Sequence, residues 1–411
     1  MKVKQIIVPL FLIVVFSQLY LPSFRINILI QLIVLIILLN LNNFKINVRI
    51  ITLLLPLFLI FLVGLLGAMF KNFELIYIIK DVTHFIKPIL GLLIGFLFFQ
   101  KTDFKSFMKI VVLSGFLMGF LHVFLVLVNS RLSIETINDV RNQFGKDNFL
   151  ECFSLFFICF YKRFIGERIF LNKTVNFIII VVLIVSSILY FSRTMVIVFL
   201  LGVLTVFGYT RINSRNIKIV IAFIAAFGLL YIYLFSIKID RNGKGLEAFL
   251  YKVKIAPSEM FKTKINRENH KELWDHWRGY EAKRALALME KTPGSYIIGT
   301  SFGSLIDLKF KAPLDEKGIR YISETHNGYI YTFYKTGIIG LALLLYFLSS
   351  FYGYIHRKND FINVFIGVIG ISFLFTTLTI TGIYNPRDVI IIILGGLLVF
   401  ASKESVQIKK Q

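Results

Sequence analysis

Apolar runs of roughly 17 to 25 residues, each long enough as a helix to cross ~30 Å of hydrocarbon, recur from Ile6 to Phe400 with short charged punctuation between them. Helices are the expected form of such runs, because in lipid a helix satisfies its own backbone polar groups. The 57% hydrophobic content of the 411 residues and the mean hydropathy of +0.76 exclude the core and surface partition of a water-soluble domain. The fold class read from the sequence is therefore an all-α integral membrane protein.

Twelve spans are expected near 5–22, 26–42, 50–70, 82–100, 107–129, 148–161, 173–191, 194–210, 217–237, 326–354, 361–383 and 388–401. The first run follows a basic start, as in a secretory signal, but no small-residue cleavage site follows it, and it reads as a span. Alternate connectors, at 1–4, 45–49, 101–109, 162–173, 211–218, 356–358 and 403–410, carry the Lys and Arg excess. Basic connectors belong in the cytoplasm, which places both termini there. The intervening connectors are near neutral: 71–81 holds two charges of each sign and 131–147 three of each. The formal charge of +23 is thus a matter of topology, spread over many short connectors with no basic stripe for nucleic acid. Cys152 and Cys159, inside one apolar run, read as packing residues rather than a disulfide or metal pair.

Segment 238–325 differs from every other connector. It is 88 residues long and contains both tryptophans and about half of all Asp and Glu. The chain divides accordingly into N-terminal membrane helices (1–237), an extracytoplasmic loop (238–325), and C-terminal membrane helices with a cytoplasmic tail (326–411). Within the loop, 269–291 reads as an amphipathic helix lying on the bilayer surface, with Leu273, Trp277, Tyr280, Arg284 and Leu288 near one stripe. Pro293-Gly294 ends it, and 299–303 follows as a turn.

Four features on the expected outer side could carry chemistry. Arg193, in Ser192-Arg193-Thr194, stands between two apolar spans, where a cation is costly unless it is paired or reaches the interface. It reads as an interfacial turn residue or as a guanidinium aimed at phosphate oxygens. Arg141, just before a span, reads as a solvated loop charge or as part of a polar cavity. Arg278, in Trp277-Arg278-Gly279-Tyr280, reads first as a solvated helix face. His326 is the sharpest candidate, standing in Glu324-Thr325-His326-Asn327-Gly328 where the loop re-enters the membrane. An imidazole there can donate to a phosphate oxygen or accept a hydroxyl proton. His84, His122, His270, His276 and His356 lack such company and read as structural. The chain shows no Walker phosphate loop and no HExxH, and no nucleophile elbow is read in it.

These elements in order resemble the O-antigen ligase and O-antigen polymerase superfamily of bacterial membrane proteins. His326-Asn327, nine residues, Gly337, two residues and Gly340 is similar to that superfamily's His-led signature. Ser192-Arg193 looks like its Ser-Arg element, and Arg278 through Gly303 looks like its Arg and aromatic helix leading to a glycine turn. The turn departs from the family pattern, with Gly299-x-x-x-Gly303 in place of Gly-x-Gly.

The resemblance implies a helical, GT-C-type glycosyltransferase that works without metal or cofactor in the bacterial cytoplasmic (inner) membrane. Its donor would be an undecaprenyl-pyrophosphate-linked glycan and its acceptor a sugar hydroxyl. Membrane lipids, and a chain-length regulator as a further candidate, complete the implied partners; nucleic acid is not among them. Arg193 and Arg278 then become pyrophosphate clamps, with Arg141 and Arg387 as supporting cations. His326 becomes base or donor, with Glu324 as the competing base. Ser192 and Asn327 join the substrate-binding set, and Trp277 and Tyr280 belong to a helix admitting the lipid tail. The expected activity is polymerisation of lipid-linked repeats of O-antigen, capsule or exopolysaccharide. Ligation of a finished glycan to lipid A-core or another terminal acceptor is the alternative, and a lipid-linked oligosaccharide flippase is a third reading. That third reading calls for charges deep within the spans, where the sequence places almost none besides Glu151.

Overall fold

The computed structural model describes the chain except residues 1, 130–138, 147–148, 191, 241–246, 248–249, 252, 256–269, 314–316 and 409–411. Among the described residues, nine α-helices precede the long loop: α1 (Lys2–Tyr20), α2 (Phe24–Leu41), α3 (Val48–Met69), α4 (Leu75–Phe99), α5 (Phe104–Asn129), α6 (Leu150–Ile165), α7 (Lys173–Leu189), α8 (Arg193–Val206) and α9 (Ser214–Ser236). The loop contains α10 (His270–Asp275), α11 (Trp277–Glu290), α12 (Ser295–Ile298) and strands β1 (Ile306–Ala312) and β2 (Ile319–Ile322). Helices α13 (Gly328–Tyr352), α14 (Phe361–Thr379) and α15 (Ile390–Ile408) follow. The sequence marks several starts with a capping side chain. Asn47 Oδ1 accepts from Arg49 N at 3.0 Å, Asn213 Oδ1 from Asn216 N at 2.8 Å, and Asp360 Oδ1 from Asn363 N at 2.9 Å.

A helix overlies each of the twelve expected spans, with shifted ends. Among the described residues, seven helices are long and apolar enough to cross a membrane: α2, α3, α4, α5, α9, the run Gly328–His356 containing α13, and α14. Ile7–Tyr20, Lys173–Leu189, Arg193–Val206 and Ile390–Lys403 are apolar but shorter. On α9 only Asn216 and Leu234 are buried, while Ile224 and Leu229 are 66% and 68% exposed, an apolar surface of the kind a membrane or another protein covers. The centre is α4 against α15. They meet glycine to backbone: a Cβ on Gly95 would stand 1.9 Å from Ile392 O, and one on Gly395 2.4 Å from Leu92 O. Small residues let helix axes approach where lipid offers no hydrophobic drive for association.

Contacts between connectors sort the two ends of the bundle as the charge pattern does. At the basic end Lys101 Nζ donates to Leu41 O, Arg49 to Ser402 O, Arg211 to Asn359 and Tyr352 to Thr210 O, and Lys105 pairs with Glu167. At the other end the Gln18 amide donates to Asp388 O, Lys87 donates to Asn385 O, and Lys80 faces Glu324.

Four expectations need correction. Segment 71–81 is not all connector, because α4 begins at Leu75 and carries Asp81 into the bundle. The spans are not nearly free of charge: Asp81, Lys87 and Lys335 lie in α4 and α13 and are at most 1% exposed. The all-α reading also missed a strand pair. β1 and β2 run antiparallel, with Ile306 opposite Ile322, Asp307 opposite Tyr321, and an irregularity before Ala312.

Segment 269–291 is not one surface helix either. It breaks at His276, residue 269 lies outside the described residues, and its aromatic stripe is covered by the hairpin. Leu273, Trp277 and Tyr280 form a small core with Leu308 and Ala312. Tyr280 donates to Leu308 O at 2.6 Å, and Arg284 Nε to Asp307 O at 2.8 Å.

Candidate active site

The site is built where α11, the 323–327 approach and the start of α13 converge. Asn327 caps α13, its side-chain oxygen accepting from Tyr329 N at 3.0 Å and Ile330 N at 3.1 Å. Capping occupies the carboxamide oxygen, so Asn327 fixes where the chain enters the helix, with His326 immediately before it. Tyr334, nearly two turns into α13, donates from its hydroxyl to Ser323 O and ties the approach down.

His326 is clasped by Glu281 of α11. The backbone N–H of His326 donates to Glu281 Oε2 at 2.9 Å, and Nδ1 lies 3.0 Å from both carboxylate oxygens. Glu281 is 2% exposed, whereas the His326 side chain is 53% exposed, so a buried carboxylate orients a ring that still faces solvent. Desolvation of the ring opposes protonation, but the hydrogen bond and charge of Glu281, helped by Glu324, outweigh it and raise the imidazole above its ordinary value. Arg278 works against that rise, which places its charge within reach of the ring. Arg278 and Glu281 are three apart on α11 and share a face, the signal that could have revealed Glu281 from sequence.

Glu324 turns to α4. Its carboxylate oxygens lie 3.7 Å from Lys80 Nζ and 3.4 Å from His84 Nδ1, so His84 does have the charged company denied to it from sequence. Beneath this layer Asp81 pairs with Lys335, both wholly buried. Asp81 also accepts from Gly303 N at 2.7 Å and Tyr331 OH at 3.3 Å, while Lys335 donates to Ser304 O at 2.7 Å.

The glycine turn serves this clamp. Gly337 has φ 65° and ψ −165° and interrupts α13, leaving carbonyls of the preceding turn open to other donors. Thr300 N donates to Tyr334 O at 2.7 Å and Ser301 N to Lys335 O at 3.0 Å. The letters 299–303 do spell Gly-x-Ser-x-Gly, but a nucleophile elbow needs a strand leading into a helix. Here a four-residue helix leads through the turn into β1, and Ser301 is 1% exposed, its Oγ 2.3 Å from where a Cβ on Gly67 would stand.

The remaining candidates lie on α8, on α11, in the 139–144 turn and in the 385–388 connector. Arg193 opens α8 behind its cap Ser192, which accepts from Met195 N at 3.4 Å, and its charge is felt by Tyr231 of α9. Arg141 lies in the π-turn Asp139–Phe144. Exposed Arg387 faces Lys146, whose ammonium is lowered first by burial and then by that charge. Asp388 does not pair with Arg387; its carboxylate accepts from Ile390 N at 2.9 Å and faces Lys87. Trp277 and Tyr280, 4% and 5% exposed, hold α11 under the hairpin. Among the described residues no three His, Cys, Asp or Glu gather as a metal site.

Residues 177–345, which take in Arg193, Arg278, Glu281 and His326, match the family model described as O-antigen ligase. This match supports the superfamily resemblance drawn from the motifs. A comparison with curated proteins gives no match.

Proposed function

With residues 177–345 placed in the O-antigen polymerase and ligase superfamily, we propose that the protein transfers a glycan from undecaprenyl pyrophosphate to a sugar hydroxyl at the outer leaflet. The observation carrying this reading is His326, clasped by buried Glu281 yet half open, with Arg278 on the same helix. Glu281 holds Nδ1, which leaves Nε2 to meet the acceptor hydroxyl. As that oxygen attacks the anomeric carbon, Nε2 takes its proton and Glu281 stabilises the imidazolium. The bond from the anomeric carbon to the pyrophosphate oxygen breaks, its electron pair leaving with the carrier. Arg278 meets the charge developing there. The pyrophosphate is already an activated leaving group, so the proposal assigns charge stabilisation to protein cations rather than to a metal. Arg193, Arg141 and Arg387 stand at the same end of the bundle as supporting cations.

In this reading all twelve α-helices outside 238–325, the shorter ones included, cross the membrane, in a GT-C-type arrangement. The basic end and both termini face the cytoplasm, and the reaction is polymerisation of lipid-linked repeats. Ligation to a terminal acceptor is the second reading, favoured by the description of the matching family. A flippase is disfavoured because the buried charges Asp81 and Lys335 neutralise each other instead of lining a two-sided path.

The test is a deletion strain complemented with wild type, His326→Ala or Arg278→Ala at equal protein level. Single repeats on the terminal acceptor support polymerisation, and full polymers stranded on the carrier support ligation. Normal glycan with both variants would overturn the enzymatic reading.

A further inference from the structure

At the basic end of the bundle the helices leave a concavity that includes none of the residues around His326. A cavity of about 460 Å³ opens there among α3, α4, α13 and α15. Its walls change character with depth in the same order on three separate elements. Along α3 the lining runs from Arg49 through Thr52 to Leu53 and Pro56, about 10 Å of helix at 1.5 Å per residue. From Arg357 and Tyr354, just past the end of α13, it runs back to Ser350 and Phe347 within that helix. On α15 it runs from Ser402 to Ala401 and Leu398, and Phe96 of α4 closes the deep end.

The cations and most hydroxyls thus stand at the rim, with Ile50 among them, and the lining below is mainly apolar, with Tyr346 the exception. Two features hold the rim. Arg49 donates to Ser402 O at 3.0 Å, which draws the starts of the α3 and α15 walls together, and the Arg357 guanidinium stacks on the Tyr354 ring at 3.8 Å. Pro56 has no N–H to give to the Thr52 carbonyl one turn earlier, so that carbonyl lacks its helical donor at the middle depth.

We propose that this cavity binds one anionic phospholipid. The phosphate meets Arg49 and Arg357, as guanidinium groups grip phosphate oxygens. The glycerol and ester region meets the hydroxyl band of Thr52, Ser350 and Ser402, and an acyl chain lies against Leu53, Phe96 and Phe347. A zwitterionic lipid fits less well, because its own cation would compete with the two guanidinium groups. A free phosphate would leave the apolar floor uncovered. The site also lies in the part of the surface where the basic connectors raise the local concentration of anionic headgroups.

Native mass spectrometry of the detergent-purified full chain, with added phosphatidylglycerol or phosphatidylcholine, tests this. One phosphatidylglycerol should be retained in preference to phosphatidylcholine, and Arg357→Gln should weaken it about tenfold, the loss of one charge-assisted contact. Ser350→Leu, which fills the hydroxyl band without touching either arginine, should weaken it as well. The unfolding temperature of each variant in lipid-free detergent verifies that it is folded. Phosphatidylglycerol should raise the unfolding temperature of wild type and not of Arg357→Gln. Equal retention of both lipids, unchanged retention in both variants, or the same stabilisation by glycerol phosphate alone would overturn the proposal.

Discussion

Glu281 holds His326 at two places at once, accepting its backbone N–H at 2.9 Å and lying 3.0 Å from Nδ1. One carboxylate therefore fixes both the position of the chain at the mouth of α13 and the orientation of the ring. It also raises the imidazole above its ordinary value, overcoming the desolvation that would lower it. If His326 is the base, transfer rises with pH through the titration of this ring. Glu281→Gln keeps an acceptor for the backbone N–H and removes the charge, so the rising limb should move to lower pH while the maximal rate falls. His326→Ala should cost roughly 10²- to 10⁴-fold, the usual contribution of a positioned proton acceptor. The readout is polymer formation from a lipid-linked repeat as a function of pH. A rising limb left in place by Glu281→Gln would remove the carboxylate from the mechanism.

The Asp81–Lys335 pair should behave as a buried clamp rather than as a catalytic one. Both side chains are wholly buried, and the pair joins α4, the 300–304 turn and α13. Removing one partner strands a charge, at a cost of ~3–5 kcal/mol. Asp81→Leu or Lys335→Met alone should therefore lower the unfolding temperature in detergent sharply. The double variant should recover part of the loss, because neither charge then remains unpaired. Equal destabilisation by the double variant and the sum of the singles would show that the two residues do not act as a unit.

Most of the helical architecture was legible because hydrocarbon leaves few choices: a helix lies over each apolar run, and several starts fall at Ser, Asn or Asp caps. What escaped notice depended on tertiary partners. Asp81 reads as a connector residue until Lys335, 254 positions away, is placed beside it. Glu281 lies among other charges on α11 and becomes distinctive only when His326 returns to it across 45 residues. The amphipathic stripe of Trp277 and Tyr280 was visible, but periodicity does not say what covers an apolar face, and here a hairpin does. β1 does alternate, Ile306-Asp307-Leu308-Lys309-Phe310-Lys311-Ala312, and that strand signal was passed over beside the stronger helical pattern around it.

Orientation rests on the charge rule and can be tested directly. Lys311, at the exposed end of β1, is suited to a cysteine probe; Ser258, a natural first choice in the middle of the loop, lies outside the described residues. Lys311→Cys should react with a membrane-impermeant maleimide added to intact cells. A cysteine at Lys358, between α13 and α14, should react only after permeabilisation. Reversed reactivity of the pair would place His326 on the cytoplasmic side, away from a carrier displayed on the outer leaflet.

Gly337 of the His-led signature and Gly299 of the glycine turn make a final, sharper test, because each is required by its partner. Gly337 has φ 65°, and a Cβ there would stand 2.1 Å from Ile297 O; Gly299 has φ 80°, and a Cβ there would stand 2.2 Å from the carbonyl carbon of Lys335. The backbone of the 297–301 turn thus lies directly on the interruption of α13, and neither side can move away without releasing the donors on Tyr334 O and Lys335 O. Gly337→Ala and Gly299→Ala should each cost ~1–3 kcal/mol in positive-φ strain alone, with backbone contact adding to it. Gly353 is a fair control, since it has φ −55° and open space where a Cβ would go, and Gly353→Ala should be neutral within about 0.5 kcal/mol. Because the clamp sits beneath Tyr334, which anchors the approach to His326, the two costly variants should also lose transfer activity at temperatures where they remain folded. Unfolding curves and glycan assays on the three variants separate these outcomes. Wild-type activity in folded Gly337→Ala would mean that the kink serves stability alone.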